Sequence, residues 1–219
     1  MRRSEYQVNR LAYQLKRVFF GVKRAEKAVD LSQIHDFWRE PPKCNEPERY
    51  ARDLERTKGL IDAISSHAPG MESAMEIGCN VGRNLDALRR FGITRLSGIE
   101  ISANAVEAMR RHFPELAKTV QIHNAPAEEV LPGLHDDSID LVFSMAVLLH
   151  IHPDSEWIFA EMARVCRKRL ITVEYEGAPS YRIYSRNYKA VFEAHGLREI
   201  WTTPSIGLAK YTTRVFEKG

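Results

Sequence analysis

One short segment restricts the fold of this chain more than any other. Residues 74–77 form a brief apolar run that enters Gly78-Cys79-Asn80-Val81-Gly82, and helical spacing follows from Asn84. Only glycine takes positive φ without penalty, so Gly78 permits a sharp turn at the end of the strand. Gly82 is expected to keep the start of the next helix free of side-chain bulk, so that a ligand can approach the backbone. A strand, a glycine turn and a helix in that order belong to an α/β sheet. The Gly-x-x-x-Gly spacing lacks the Gly-x-Gly-x-x-Gly cradle for a pyrophosphate. No Gly-Lys-Ser/Thr follows, which excludes a P-loop.

The rest of the chain alternates in the same sense. Apolar runs at 96–101, 120–123, 139–144 and 170–175 read as strands, and 84–91, 103–112, 154–167 and 184–195 as helices. Such alternation makes a parallel sheet with helices on both faces. Two last apolar segments, 197–201 and 211–216, have no helix between them. They predict a hairpin, hence one antiparallel strand.

The 219 residues suffice for one substantial domain. The expected division is a helical cap or lid over 1–70 and the α/β domain over 71–219. Residues 1–29 read as a basic amphipathic helix, with Leu11, Leu15, Val18, Phe19 and Val22 on one face and Lys16, Arg17, Lys23 and Arg24 between them. Two readings stand: the helix lies on an anionic membrane surface, or it packs on the domain, over the active site, or on a partner subunit such as a second copy. Residues 30–48 read as an ordered loop or broken helix, and helical spacing resumes over 46–67.

A net charge of +3 is too small to imply nucleic acid. The three cysteines, Cys44, Cys79 and Cys166, include no pair at metal-ligand spacing. They argue against a disulfide framework or a metal site and for a reducing, cytoplasmic compartment. No stretch reaches the roughly 18–20 apolar residues needed to span a bilayer.

A second feature sharpens the glycine turn. Glu100 ends the next strand, about twenty residues on, where a carboxylate can accept hydrogen bonds from both hydroxyls of a ribose. Together, Glu76-Ile-Gly-Cys-Asn-Val-Gly82, Gly98-Ile-Glu100-Ile and Ile139-Asp-Leu-Val-Phe-Ser144 resemble class I S-adenosylmethionine-dependent methyltransferases over roughly 72–218. That resemblance implies a Rossmann-like α/β fold: a seven-stranded, mostly parallel sheet with an antiparallel last strand. It implies S-adenosyl-L-methionine as cofactor, with Glu76, Gly78, Cys79, Asn80, Gly82 and Asn84 around its methionine part. Glu100 and Ile101 are then expected at the ribose, Ala127 and Glu128 at the adenine, and Ser144 and Met145 beside the reacting end. Cys79 also reads as a small packing residue.

The segment Val147-Leu-Leu-His150-Ile-His-Pro153, with Glu174-Tyr175 and 181–188, is similar to methylases associated with pseudaminic acid biosynthesis. This implies a sugar, glycan or other small-molecule acceptor. Those relatives carry Arg-Asp where this chain has Arg186-Asn187. For a hydroxyl acceptor a base is needed, and His150 is the first candidate; its alternative role is to bond a backbone carbonyl and shape the turn. Glu174 can orient His150 or bind an acceptor hydroxyl, or serve as a structural carboxylate. Tyr175, Tyr181 and Arg186 are the expected acceptor contacts, Arg186 being suited to a carboxylate or phosphate. Trp38 and Tyr50 read as a lid or as core, and His152 as a surface turn residue. Two further functions remain open: N-methylation of a small amine or peptide, and a non-catalytic cofactor-binding subunit. The Asp/Asn-Pro-Pro-Tyr motif of nucleic-acid amino-methylating enzymes is absent after the fourth strand, where Ser144-Met145-Ala146-Val147 stands.

Overall fold

A computed structural model describes residues 29–219 except 43, 44 and 53. The basic amphipathic helix expected over 1–29 therefore lies, apart from Val29, outside the described residues. Among the described residues, three helices precede the sheet: α1 (Leu31–Arg39), α2 (Pro47–Tyr50) and α3 (Leu54–His67). Of the two readings of residues 30–48, the broken helix is the one present, and the start of α1 is encoded locally. The Asp30 side chain accepts the Ser32 N–H, and the Gln33 side chain accepts the Asp30 N–H, which closes a capping box.

The α/β portion runs β1 (Ser73–Ile77), α4 (Arg83–Phe91), β2 (Arg95–Ile99), α5 (Ala103–His112), α6 (Pro114–Ala117), β3 (Gln121–His123), α7 (Ala127–Val130) and β4 (Ile139–Met145). It continues with α8 (Ile158–Val165), β5 (Cys166–Tyr175), α9 (Tyr188–Glu193), β6 (Leu197–Pro204) and β7 (Tyr211–Lys218). Two helices are shorter than their spacing suggests. Pro153 starts a separate 3-10 turn ahead of α8, and Asn187 caps α9 by accepting the Ala190 N–H, so that helix begins at Tyr188.

The sheet has seven strands in the order β3-β2-β1-β4-β5-β7-β6. Strand β7 is antiparallel to both its neighbours and the other pairings are parallel, as the closing hairpin predicts. The seven-stranded, mostly parallel architecture implied by the resemblance is therefore present. The chain moves outward from β1 through β2 to β3, then crosses back to β4 on the other side. This reversal opens a crevice at the carboxyl ends of β1 and β4, where open α/β sheets bind ligands.

Side chains of a strand alternate between its two faces. In β1, Ala74 joins one apolar cluster with Leu60, Leu85 and Leu88, while Met75 and Ile77 join the other with Phe159, Met162 and Phe192. Glu76 shares the parity of Ala74 and thus faces α4. It is a carboxyl group inside a fully buried strand whose other side chains are Ser73, Ala74, Met75 and Ile77. Gly82 serves packing between helices: a Cβ there would lie 2.8 Å from Leu116 and 2.9 Å from the Met109 sulfur. That corrects the expectation that its small size serves ligand approach.

Candidate functional site

A cavity of about 740 Å³ opens at the carboxyl ends of β1, β2 and β4, within the size range of small-molecule sites. Helices α1 and α2 contribute Ile34, Trp38 and Tyr50 to its wall, opposite Glu76, Asn80 and Glu100. Two tertiary contacts hold α1 there. His35 Nε2 lies 3.2 Å from a Glu128 carboxylate oxygen, and the Ser102 hydroxyl donates to the Arg39 carbonyl at 3.1 Å. Burial alone would raise the Glu128 pKa, but the hydrogen bond with His35 helps to hold it below its ordinary value.

The glycine turn is built by three successive departures into positive φ: Gly78 at 69°, Asn80 at 47° and Gly82 at 74°. Asn80 tolerates its position because its side-chain oxygen accepts the Val81 N–H at 2.8 Å. At Gly78 a Cβ would collide with the Val147 side chain at 2.5 Å, so that residue brings the turn against the loop after β4. Cys79 packs its sulfur over Gly98, where a Cβ would come within 2.6 Å.

Two carboxylates define one end of the cavity. Glu100 accepts the backbone N–H groups of Asn80 and Ser102, each at 2.8 Å, one on each oxygen. Burial raises its pKa despite these bonds. The remaining lone pairs are available to a ligand's hydroxyl donors. Glu76 is 2% exposed; one oxygen accepts from Asn84 Nδ2 at 2.6 Å, and the other is buried without a partner. Burial pushes its pKa up to about 8. Asn84 is itself held by the Thr57 hydroxyl at 2.9 Å, and neighbouring Arg83 donates to the Tyr50 carbonyl at 3.1 Å. These bonds tie α2 and α3 to the start of α4, just after the glycine turn.

The orphaned Glu76 oxygen fits the ammonium of a methionine moiety, and Glu100 fits vicinal ribose hydroxyls. Ile101, Ala127 and Glu128 lie on the same wall near Pro126, where an adenine is expected, and Met145 lies by Asn84. Replacing Glu100 with alanine is expected to weaken binding of S-adenosylhomocysteine by about 1.5–3 kcal/mol, the range for a hydrogen bond to a charged group. Titration calorimetry showing equal affinity would remove Glu100 from the ribose.

The loop after β4 forms a further part of the cavity wall. His150, in a 3-10 turn at Leu148–His150, lines the cavity and packs its ring on Trp38, with centroids 4.6 Å apart. Its Nδ1 lies 2.8 Å from the Arg182 carbonyl. A carbonyl only accepts, so Nδ1 carries the proton and Nε2 keeps its lone pair. Burial lowers the His150 pKa and the nearby Arg182 charge adds to this, against the opposing hydrogen bond to the Arg182 carbonyl, so the ring is neutral at pH 7.

Several expected site residues stand behind the wall. Glu174 is fully buried and accepts the Ser144 hydroxyl and the N–H groups of Val147, Leu148 and Leu149 at 3.0–3.3 Å. Arg186 donates to the carbonyls of Leu148, Ile151 and Tyr184 and pairs with Glu156 at 2.9 Å. A carboxylate thus holds the N–H side of the loop and a guanidinium its carbonyl side. Ser144, Glu174 and Arg186 therefore support the wall, with no place on the cavity surface, and Gly82 is absent from it too. Tyr175 packs against Tyr211, 5.9 Å between centroids, and it is Tyr211 that faces the cavity. Tyr181 does line the cavity mouth. His152 corrects the surface reading: it is buried, accepts the Asp154 N–H and borders the cavity. His35, Arg182 and Tyr211 were not read from the sequence. Only the capping box that orients α1 marks any of them in advance.

Residues 75–171 match a family model described as a methyltransferase domain. The chain is 27% identical over 141 residues to the ubiquinone biosynthesis O-methyltransferase of Thiobacillus denitrificans, covering 64% of this chain and 60% of that protein. It is 26% identical over 162 residues to O-methyltransferase cnsE of Penicillium expansum, covering 72% and 56%. The chain thus spans somewhat over half the length of these curated relatives. Its fold is shared with the crystal structure of magnesium protoporphyrin IX methyltransferase from Synechocystis PCC 6803 with bound S-adenosylmethionine. The TM-score is 0.66 at 14% identity, covering 89% of this chain and 100% of that one. Residues 75–171 thus carry a match to a methyltransferase domain, within a fold shared with a methyltransferase whose structure holds S-adenosylmethionine.

Proposed function

We propose that this chain is an S-adenosylmethionine-dependent methyltransferase that methylates a hydroxyl oxygen of a small acceptor: a sugar, a glycan unit or another small hydroxylated ring. The observation that carries the reading is a single cavity lined by Glu76, by Glu100 and by the neutral His150, whose Nε2 has no protein partner among the described residues. The bound cofactor supplies an electrophilic methyl group on a sulfonium, which leaves as a neutral thioether. Glu76 and Glu100 fix the donor, and alignment of this kind is worth about 7–11 kcal/mol of barrier. His150 takes the hydroxyl proton at Nε2, a step an already neutral amine does not require; this favours oxygen over nitrogen. Trp38, Tyr50, Tyr181 and Tyr211 supply ring faces on which a sugar or phenol can pack. The names of the two O-methyltransferase relatives support the same acceptor atom.

Glu174 acts in this reading as a positioning residue for the loop that carries His150. The reading extends to a cytoplasmic location, which the free, buried Cys79 and Cys166 support. No helix among the described residues is long and apolar enough to cross a membrane.

Incubation with methyl-labelled cofactor and fractionated cell extract tests the proposal. Mass spectrometry is expected to find a new methyl ether in one fraction. Methylation on nitrogen, or cofactor binding with no methylated product in any fraction, would overturn it.

A further inference from the structure

We infer that the acceptor is an anion, recognised through a carboxylate or phosphate by the Arg182 guanidinium beside His150. The inference rests on the reading of this end of the cavity as the acceptor site. Arg182 lines the cavity, yet among the described residues its guanidinium makes no hydrogen bond and meets no carboxylate. Other arginines of the fold are engaged: Arg186 with Glu156 and three carbonyls, Arg164 with Glu161 and Asp136, Arg214 with Glu176 and Glu199. The Arg182 Cζ instead lies 3.5 Å from the Phe37 ring centroid and 5.4 Å from that of Tyr181. Stacking on a ring face leaves the in-plane N–H edges of a guanidinium for a ligand.

The position of Arg182 is built into the backbone. Tyr181 and Arg182 form the tip of a tight turn in which Ser180 and Ile183 exchange both backbone hydrogen bonds, at 3.0 and 3.1 Å. The next residue, Tyr184, donates its N–H to the Leu149 carbonyl at 2.8 Å, and His150 donates to the Arg182 carbonyl. An oxyanion on Arg182 is therefore registered against the base. A second donor belongs to the same stack. The Trp38 indole N–H is buried without a partner, and its ring lies on His150 and edge-on to Phe37 at 5.0 Å. A guanidinium and an indole N–H, both donors and neither satisfied by the protein, select an acceptor-rich ligand group.

Calorimetry on protein loaded with S-adenosylhomocysteine tests this with three probes: 4-hydroxybenzoate, phenyl phosphate and the neutral 4-hydroxybenzamide. At least one anionic probe is expected to bind about tenfold or more tightly than the amide, and the stronger arm identifies carboxylate or phosphate. Arg182→Ala should erase the preference and Arg182→Lys retain part of it, with S-adenosylhomocysteine affinity unchanged in both. Equal binding of all three probes, no binding of any, or a preference that survives Arg182→Ala overturns the inference. The outcomes separate the two proposals. Transfer of a methyl group to a neutral acceptor overturns the anion site alone. Anion preference without transfer to any extract fraction overturns the methyltransfer reading alone.

Discussion

Replacing His150 with alanine is expected to lower turnover by about 10²–10⁴-fold while leaving cofactor affinity unchanged, the range for loss of a positioned general base. The expectation rests on three geometric facts. His150 borders the cavity, its Nδ1 proton is committed to the Arg182 carbonyl, and its ring is held against Trp38. The base is thus in one tautomer and one orientation before an acceptor arrives. Burial, assisted by the Arg182 charge, holds its pKa below the ordinary histidine value. A base must be unprotonated to act, so activity should fall only as pH drops through that lowered pKa, and stay level above it. Single-turnover kinetics with labelled cofactor across pH read both effects. Undiminished turnover in His150→Ala would leave His150 as a turn-shaping residue only.

The second large effect is on stability. Glu174→Ala removes the acceptor for one hydroxyl and three backbone N–H groups in a fully buried site. An unsatisfied buried donor costs about 1–3 kcal/mol, and with partial relaxation the loss is expected at about 3–5 kcal/mol. The pH dependence has a definite sign. Burial raises the Glu174 pKa to about 7, against the opposing hydrogen bonds, from an ordinary value of 4.5. The folded protein therefore holds this proton more tightly than the unfolded chain. The contribution of this group to stability is full below about pH 4.5, declines as pH rises to about 7 and is constant beyond. Denaturant unfolding of wild type and Glu174→Gln at either end of that window measures the difference. A wild-type stability that rises with pH relative to Glu174→Gln would contradict the assignment. Because Glu174 holds the His150 loop, Glu174→Gln should also reduce turnover more than cofactor affinity.

The donor end of the site was the more readable part of the sequence. Glu76 and Glu100 sit at or just past the ends of strands whose apolar runs and following glycine or helix mark their direction. Strand parity then orients them. The acceptor end has no such periodicity. Arg182 and Arg186 lie four residues apart in a segment without regular structure, and equal chemistry made Arg186 the natural choice for an anion. In the folded chain Arg186 turns inward to the carbonyls of the β4 loop, while Arg182 remains at the cavity mouth. The same limit applies to Tyr175 and Tyr211, which are paired across β5 and β7. Only one of the two reaches the cavity. Residues 30–48 left a loop and a broken helix open; Asp30 and Gln33 encode the start of α1, and the helix breaks before Pro41-Pro42.

Returning to residues 74–82, the sequence alone determined the strand, the positive-φ turn and the order of β and α elements, because these depend on local conformational preference and periodicity. Tertiary structure decided what each small or charged residue is for. Gly82 yields its space to Leu116 and Met109, Glu174 supports a loop from behind, and an N-terminal helix carries Trp38 to the base. Those roles depend on which atoms from distant parts of the chain arrive at the same place, and no spacing within one segment encodes that.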